Sequence, residues 1–210
     1  MKQPLPHDLL WGLRPEQLPA DAPAWARGAL AGRVPVVVRR APAEPGWVAI
    51  GVRGEQRGQR FATWMRVADV ARHVSPEAVA RAGRWRAHHQ PHWPAVQALT
   101  QLAPLLNEQG MAWGVTGSLG FELASGVAAT HPDSDLDLLL RAPYFLSHDR
   151  ARTLCSLLEG VFARVDVQLE TPVGAVALRE WAAGNGRVLV KTQAAPLLLA
   201  DPWSAQGAAA

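Results

Sequence analysis

Apolar and polar positions along the chain follow two regimes. Between residues 33 and 67 they form short β-branched or aromatic runs, VPVVVRRA, WVAIGVRG and QRFATWMRV. Turn signals at Glu44-Pro45-Gly46 and from Gly54 to Gly58 divide these runs, so the pattern predicts a small β-rich module. Ahead of it, residues 18–31 are alanine-rich and predict a helix. Residues 1–15, with the apolar cluster Leu9, Leu10 and Trp11, read as a short docking segment. Residues 67–82, VADVARHVSPEAVARA, predict two short helices, the second with Ser75 as N-cap and Pro76 at its first position.

From residue 93 the regime changes to helices alternating with strands. AVQALTQLAPLLNEQ has a helical period and stops at Gly110, a C-cap signal. The expected order is then a strand over 111–115, a Gly-Ser turn, a helix over 118–124 and a strand over 135–140. A helix over 149–162, a strand over 164–170, a strand over 187–192 and a helix or loop through LLLADPW complete it. Between the regimes lies RWRAHHQPHWP, where Pro91 and Pro94 break any helix. The chain therefore divides into a β-rich module over 1–92 and a second domain over 93–210, an α+β fold whose second part is a mixed sheet flanked by helices.

Two carboxylates alternate with leucines in HPDSDLDLLL. On a strand, Asp135 and Asp137 share one face while Leu136 and Leu138 take the other. Close anions repel unless a cation lies between them, and a hard divalent ion such as Mg²⁺, or Mn²⁺, suits oxygen ligands. In RVDVQLE, Asp166 shares a face with Gln168 and Glu170, so a neighbouring strand would complete a three-carboxylate site able to hold two metals. Gly117 and Ser118, after the apolar run from Trp113 to Val115, supply a small-residue turn whose amides can approach phosphate oxygens. The combination points to phosphoryl or nucleotidyl transfer. Arg141, just after the acidic strand, and Lys191, on the last predicted strand, are candidate phosphate ligands. Asp133 is expected to serve a turn, and Glu122 to lie behind the site or on the surface.

Composition narrows the alternatives. With 49% hydrophobic and 19% charged residues, the 210-residue chain can bury one large core or two small ones. No apolar run reaches the roughly 18 residues of a membrane span, and MKQPLPHDLLW lacks signal-peptide architecture, which predicts a cytoplasmic protein. The single cysteine, Cys155, falls in a helical pattern and suits a buried structural thiol. Neither GxGxxG nor a Walker motif is present. His88, His89 and His92 approach metal-ligand spacing, but without organised ligand pairs they suit a connector better than a zinc site. Nucleic-acid binding is not expected, because the 67–82 pair lacks a base-reading helix. Charge is uneven: residues 1–100 carry 14 Lys+Arg against 7 Asp+Glu, residues 101–210 carry 7 against 11. Arg39, Arg40, Arg53, Arg57 and Arg60 gather around the turns of the first module, a patch for an anionic ligand or an acidic protein.

The Gly-Ser, Asp-x-Asp and later Asp arrangement resembles the nucleotidyltransferase superfamily that includes DNA polymerase beta, with a rather long spacer of 16 residues between Ser118 and Asp135. HDLLW, WVAIGVRG, QRFATWM, WGVTGSLGFELASG and HPDSDLDLLLRAP are more closely similar to the phosphoribosyl-dephospho-CoA transferases of malonate decarboxylase, the MdcG family. The resemblance implies a polymerase-beta-like catalytic domain. It also implies attack by a serine of the apo acyl carrier protein on the α-phosphorus of triphosphoribosyl-dephospho-CoA. Asp135, Asp137 and Asp166 would be metal ligands, Asp166 would aid deprotonation, and Gly117 and Ser118 would hold the outgoing phosphates. A small-molecule adenylyltransferase with the same metal site, or a non-catalytic binding module, are the other readings.

Overall fold

A computed structural model describes residues 3–56 and 58–204. Its N-terminal part comprises β1 (Leu9–Trp11), α1 (Ala24–Ala31), β2 (Val36–Val38), β3 (Trp47–Arg53), β4 (Arg60–Arg66) and β5 (Arg72–Val74). These strands form an antiparallel sheet in the order β4–β3–β2–β1–β5. Alternation divides its faces as a pleat requires. Leu10, Val36, Val38, Val48, Ile50, Val52 and Met65 pack with Ala26 and Leu30 of α1. Leu9, Val37 and Val74 face the other way and join the core of the second part.

That second part runs α2 (Pro76–Ala82), α3 (Pro94–Glu108), β6 (Trp113–Val115), α4 (Gly117–Ser125), β7 (Leu136–Arg141), α5 (His148–Leu157), β8 (Val165–Glu170), β9 (Ala175–Ala177), α6 (Leu178–Ala183), β10 (Val188–Lys191) and β11 (Pro196–Leu199). The sheet order is β11–β10–β9–β8–β7–β6, with β7 and β8 parallel and the other pairs antiparallel. The α5 crossover is what permits the parallel pair. Leu136, Leu138 and Leu140 are essentially fully buried and cluster with Leu99, Leu102, Leu119 and Leu154 from three helices. The leucine half of DLDLLL thus anchors the strand, leaving Asp137 on the opposite face. The α+β class and the mixed sheet match expectation. Among the described residues no helix is long and apolar enough to cross a membrane.

Several local expectations are corrected. The described residues 3–15 are no separate docking arm: Leu9–Trp11 pairs with both β2 and β5, and a central strand needs apolar residues on both faces. The first helix expected in 67–82 is a 3₁₀ turn (Val67–Asp69) followed by an edge strand, because Arg72–Val74 gains ladder partners on β1. Only the second helix forms, with Ser75 Oγ accepting from the Ala78 amide at 3.2 Å. A helix-turn-helix is thereby excluded for this segment. The 18–31 helix starts only at Ala24, after Pro23 as N-cap, and the 149–162 helix stops at Leu157. LLLADPW begins as a strand, paired with β10, while β9 and α6 had no clear sequence signal.

Candidate active site

Parallel pairing of β7 with β8 sets Asp137 directly opposite Asp166, with both side chains on the same face of the sheet. Asp135 lies one residue before β7, on the same side as Asp137 by alternation. Neither Asp135 nor Asp166 is sealed off, their side chains being 32% and 44% exposed. Asp137 is deeper. Burial first, then the charges of Asp166 and Asp135, hold its carboxyl above the usual carboxylate range. Arg164 spans the outer pair, 3.9 Å from Asp135 Oδ2 and 3.2 Å from Asp166 Oδ2. One exposed cation is thus already drawn to a site that repels itself.

Gly117 explains why the turn must be small. Its φ of 64° lies in the left-handed region, and a Cβ there would collide with the Asp137 carboxylate, 2.7 Å from Cγ. The turn and the acidic strand are also tied through backbone, Thr116 N–H donating to Asp137 O at 2.9 Å. Thr116 is the N-cap of α4 but supplies no side-chain cap, which leaves first-turn amides free beside Asp137 and Ser118. Gly117, Ser118, Asp135, Asp137 and Asp166 are therefore brought together.

Arg141 and Lys191 are not brought to them. Arg141 is four residues beyond Asp137 on the same strand, about 13 Å away. Its Nε donates to Glu77 Oε1 at 2.6 Å, and Nη1 lies 4.0 Å from Glu170. Register carries Arg141 to Glu170, Glu170 to Ala175 and Ala175 to Lys191, so both cations stand at the opposite end of the sheet. There Arg40 donates to both oxygens of buried Glu170 at 2.7 Å each, fastening the N-terminal part to the carboxylate-bearing sheet.

Cations reach the carboxylate end from the other module instead. Arg53 donates to Ala129 O at 3.3 Å and lies 5.3 Å over the Phe121 ring, and both it and Arg60 act electrostatically on Asp137. The arginine cluster read from sequence thus splits: Arg40 is structural, Arg53 and Arg60 turn to the site, and Arg57 lies outside the described residues.

Glu122 is buried rather than on the surface. Burial alone would raise its pKa, but amide donors from Ala129 (2.9 Å) and Thr130 (2.7 Å), with His88 Nε2 at 3.0 Å, hold it low. These bonds clamp the loop that leads to Asp135, which gives the long spacer a fixed course. Within that loop Ser134, not Asp133, makes the turn's side-chain bond, to His131 N–H. His88, His89 and Glu122 place ligand-type atoms within 4.8 Å of one another. However, Gln90 N–H donates to His88 Nδ1 at 3.1 Å, so the ring's proton sits on Nε2 and is given to Glu122. That tautomer offers a metal no lone pair, and His92 takes no part. Cys155 is half-buried against the core, and burial raises its thiol pKa, as suits a structural residue.

Comparison with known proteins places the chain in a family. The model of the phosphoribosyl-dephospho-CoA transferase MdcG N-terminal domain matches residues 5–76, and that of the C-terminal domain matches residues 80–202. A phosphoribosyl-dephospho-CoA transferase of Pseudomonas putida (strain GB-1) is 53% identical over 210 residues, covering 100% of both chains. Its counterpart in Pseudomonas aeruginosa is 55% identical over 200 residues, 95% of this chain and 94% of the relative. That of Azotobacter vinelandii is 49% identical over 200 residues, with the same coverage. No solved structure matches. With both domain models matched in order and relatives aligned along nearly all of the sequence, the chain belongs to the phosphoribosyl-dephospho-CoA transferase MdcG family of enzymes.

Proposed function

We propose that the chain transfers phosphoribosyl-dephospho-CoA from triphosphoribosyl-dephospho-CoA to a serine of the apo acyl carrier protein of malonate decarboxylase, releasing pyrophosphate. The observation that carries this reading is the apposition of three carboxylates with a glycine turn that admits no side chain.

The residues fit a hard divalent cation, Mg²⁺ or Mn²⁺. All three donors are carboxylates, and the most buried one has its pKa raised by burial and then by the charges of its two neighbours, which a cation would relieve. Asp135, Asp137 and Asp166 would hold it. When bound, such an ion offsets the charge of the phosphate oxygens as the bond to the leaving group breaks. The chain's own groups do the rest. The first-turn amides of α4 and Ser118 bind the outgoing phosphates, and Arg53 and Arg60 add positive potential from across the cleft. Asp166, the more exposed partner in the registered pair, accepts the proton of the acceptor serine. The serine Oγ–phosphorus bond forms, the bond from that phosphorus to the bridging oxygen breaks, and pyrophosphate leaves with the electron pair.

Intact-mass measurement of the apo acyl carrier protein, incubated with this enzyme, Mg²⁺ and donor, tests the proposal. A gain equal to phosphoribosyl-dephospho-CoA is expected. No gain with donor, together with adenylylation of a hydroxyl compound by ATP, would establish the adenylyltransferase reading instead.

A further inference from the structure

The N-terminal sheet covers one face with α1, but on the other face Arg60, Ala62, Trp64 and Arg66 of β4 are exposed, while Ala49 of β3 is buried. Register lays this face out in rungs. Arg53 stands opposite Arg60, Gly51 opposite Ala62, Ala49 opposite Trp64 and Trp47 opposite Arg66. One end is cationic, the middle is floored by small residues, and the far end is aromatic.

Each end has features of a binding surface. Neither the Arg60 nor the Arg39 guanidinium has a hydrogen bond or ion pair among the described residues, although Arg39 N–H donates to Ala49 O at 2.8 Å. Arg39 lies along the floor, its Cδ only 3.3 Å from where a Gly51 Cβ would stand, so any larger residue there would push it off. Trp64 is 50% exposed and Trp47 37%. These rings are held in place all the same, Trp64 Nε1 donating to Pro42 O at 3.1 Å and Arg66 lying 5.2 Å over Trp47. With Pro42, Ala43 and Glu44 they line an open hollow of about 590 Å³. The Trp64 indole, half in water and with no ring or cation stacked on it among the described residues, is a stacking surface; Trp47 beside it already carries Arg66 over its ring.

From Arg60 to Trp64 is four residues of one strand, about 13 Å. This is comparable with the span from ring to terminal phosphate in an extended nucleoside polyphosphate. The cationic end lies towards Asp137, on whose carboxyl Arg60 acts electrostatically.

We propose that this face binds the nucleotide portion of the donor, with phosphates at Arg53 and Arg60, Arg39 alongside, and the purine stacked on Trp64 and Trp47. The assignment rests on the donor proposed above. It gives the N-terminal module a share in substrate recognition: the second domain carries the reacting groups, and the first holds the base.

Calorimetric titration of the full chain with dephospho-CoA, and separately with 4′-phosphopantetheine, tests this. Loss of a base–aromatic stack predicts that Trp64→Ala weakens dephospho-CoA binding about ten-fold or more, and that Trp64→Phe restores most of it. Phosphopantetheine, which has no purine, should be indifferent to both changes. In turnover, Trp64→Ala should raise the donor KM and leave kcat in place. Equal dephospho-CoA affinity in wild type and Trp64→Ala would overturn the proposal, as would an equal loss for phosphopantetheine. The titration needs neither acceptor nor chemistry. Trp64-dependent binding without any transfer to the carrier protein would therefore overturn the reaction and keep the platform. Normal transfer with Trp64-independent binding would do the reverse.

Discussion

Replacing Asp137 with asparagine should make the metal-free protein more stable while abolishing its response to divalent ions. Asp137 and Asp166 are register partners on adjacent parallel strands, which lie about 4.8 Å apart. Two unit charges about 5 Å apart repel by about 3 kcal/mol at an effective dielectric of about 20, and by about 1 kcal/mol in water. Asp166 is 44% exposed, so the screened value of about 1 kcal/mol applies. Asparagine keeps the volume and removes the repulsion, which in a protein of this size raises Tm by about 2–4 °C. The pH dependence has a definite sign. The Asp137 carboxyl is raised in the fold by burial, then by Asp166 and Asp135. Its contribution to stability is therefore complete below the ordinary carboxylate value of about 3.9 and is lost as pH climbs through the raised folded value. The asparagine variant should gain on the wild type across that window, hold its full advantage at neutral pH and lose it in acid. The assay is thermal unfolding in EDTA at several pH values, repeated with increasing Mn²⁺. In Mn²⁺ the order should invert, because only the wild type keeps the full ligand set. A variant no more stable than wild type at neutral pH in EDTA, or one that gains equally from Mn²⁺, would refute the reasoning.

Three further outcomes follow from the geometry. Gly117→Ala must clash with Asp137 and adopt a left-handed φ, so transfer should be nearly lost and stability should fall by about 1–3 kcal/mol, measured by kinetics and denaturant unfolding. Glu122→Ala leaves the Ala129 and Thr130 amides and His88 without their buried partner; a loss of about 2–4 kcal/mol is expected, with faster amide exchange at residues 129 and 130. Arg40→Ala takes both short hydrogen bonds from buried Glu170 and leaves it only Arg141 and His7 at 4.0 Å, so a cost of about 1.5–3 kcal/mol should appear as earlier thermal unfolding, with the metal response of the carboxylate site retained.

The residues of the candidate site were largely legible because their pattern is local. Alternation alone put Asp135, Asp137 and Asp166 on strand faces opposite their leucine and valine partners, and the Gly-Ser pair marked the turn. What alternation does not encode is which strand lies beside which. The pairing of β7 with β8 made a triad of the three acids. The same register carried Arg141 and Lys191 to the far end, where Glu77 and Glu170 surround Arg141. Short central strands were the other weak point. Leu9–Trp11 has apolar residues on both faces because two cores meet there, which destroys the period-two signal. Arg72–Val74 is a strand only because β1 is beside it. Arg53 and Arg60 were visible as a basic cluster, but their approach to Asp137 depends on how the two sheets share a core. Glu122 and His88 stood out singly, but nothing in the sequence paired them, since a buried acid held by distant amides is defined only by the folded loop.

The measurement that bears most directly on the central claim joins product to site. Acyl carrier protein mass and released pyrophosphate should be followed together, for the wild type and for Asp137→Asn, after both proteins are shown to be folded. The account predicts one pyrophosphate per modified carrier protein with the wild type, and neither product with the variant. Transfer at the wild-type rate by Asp137→Asn would contradict it, because the reaction would then be proceeding without the carboxylate around which this site is built.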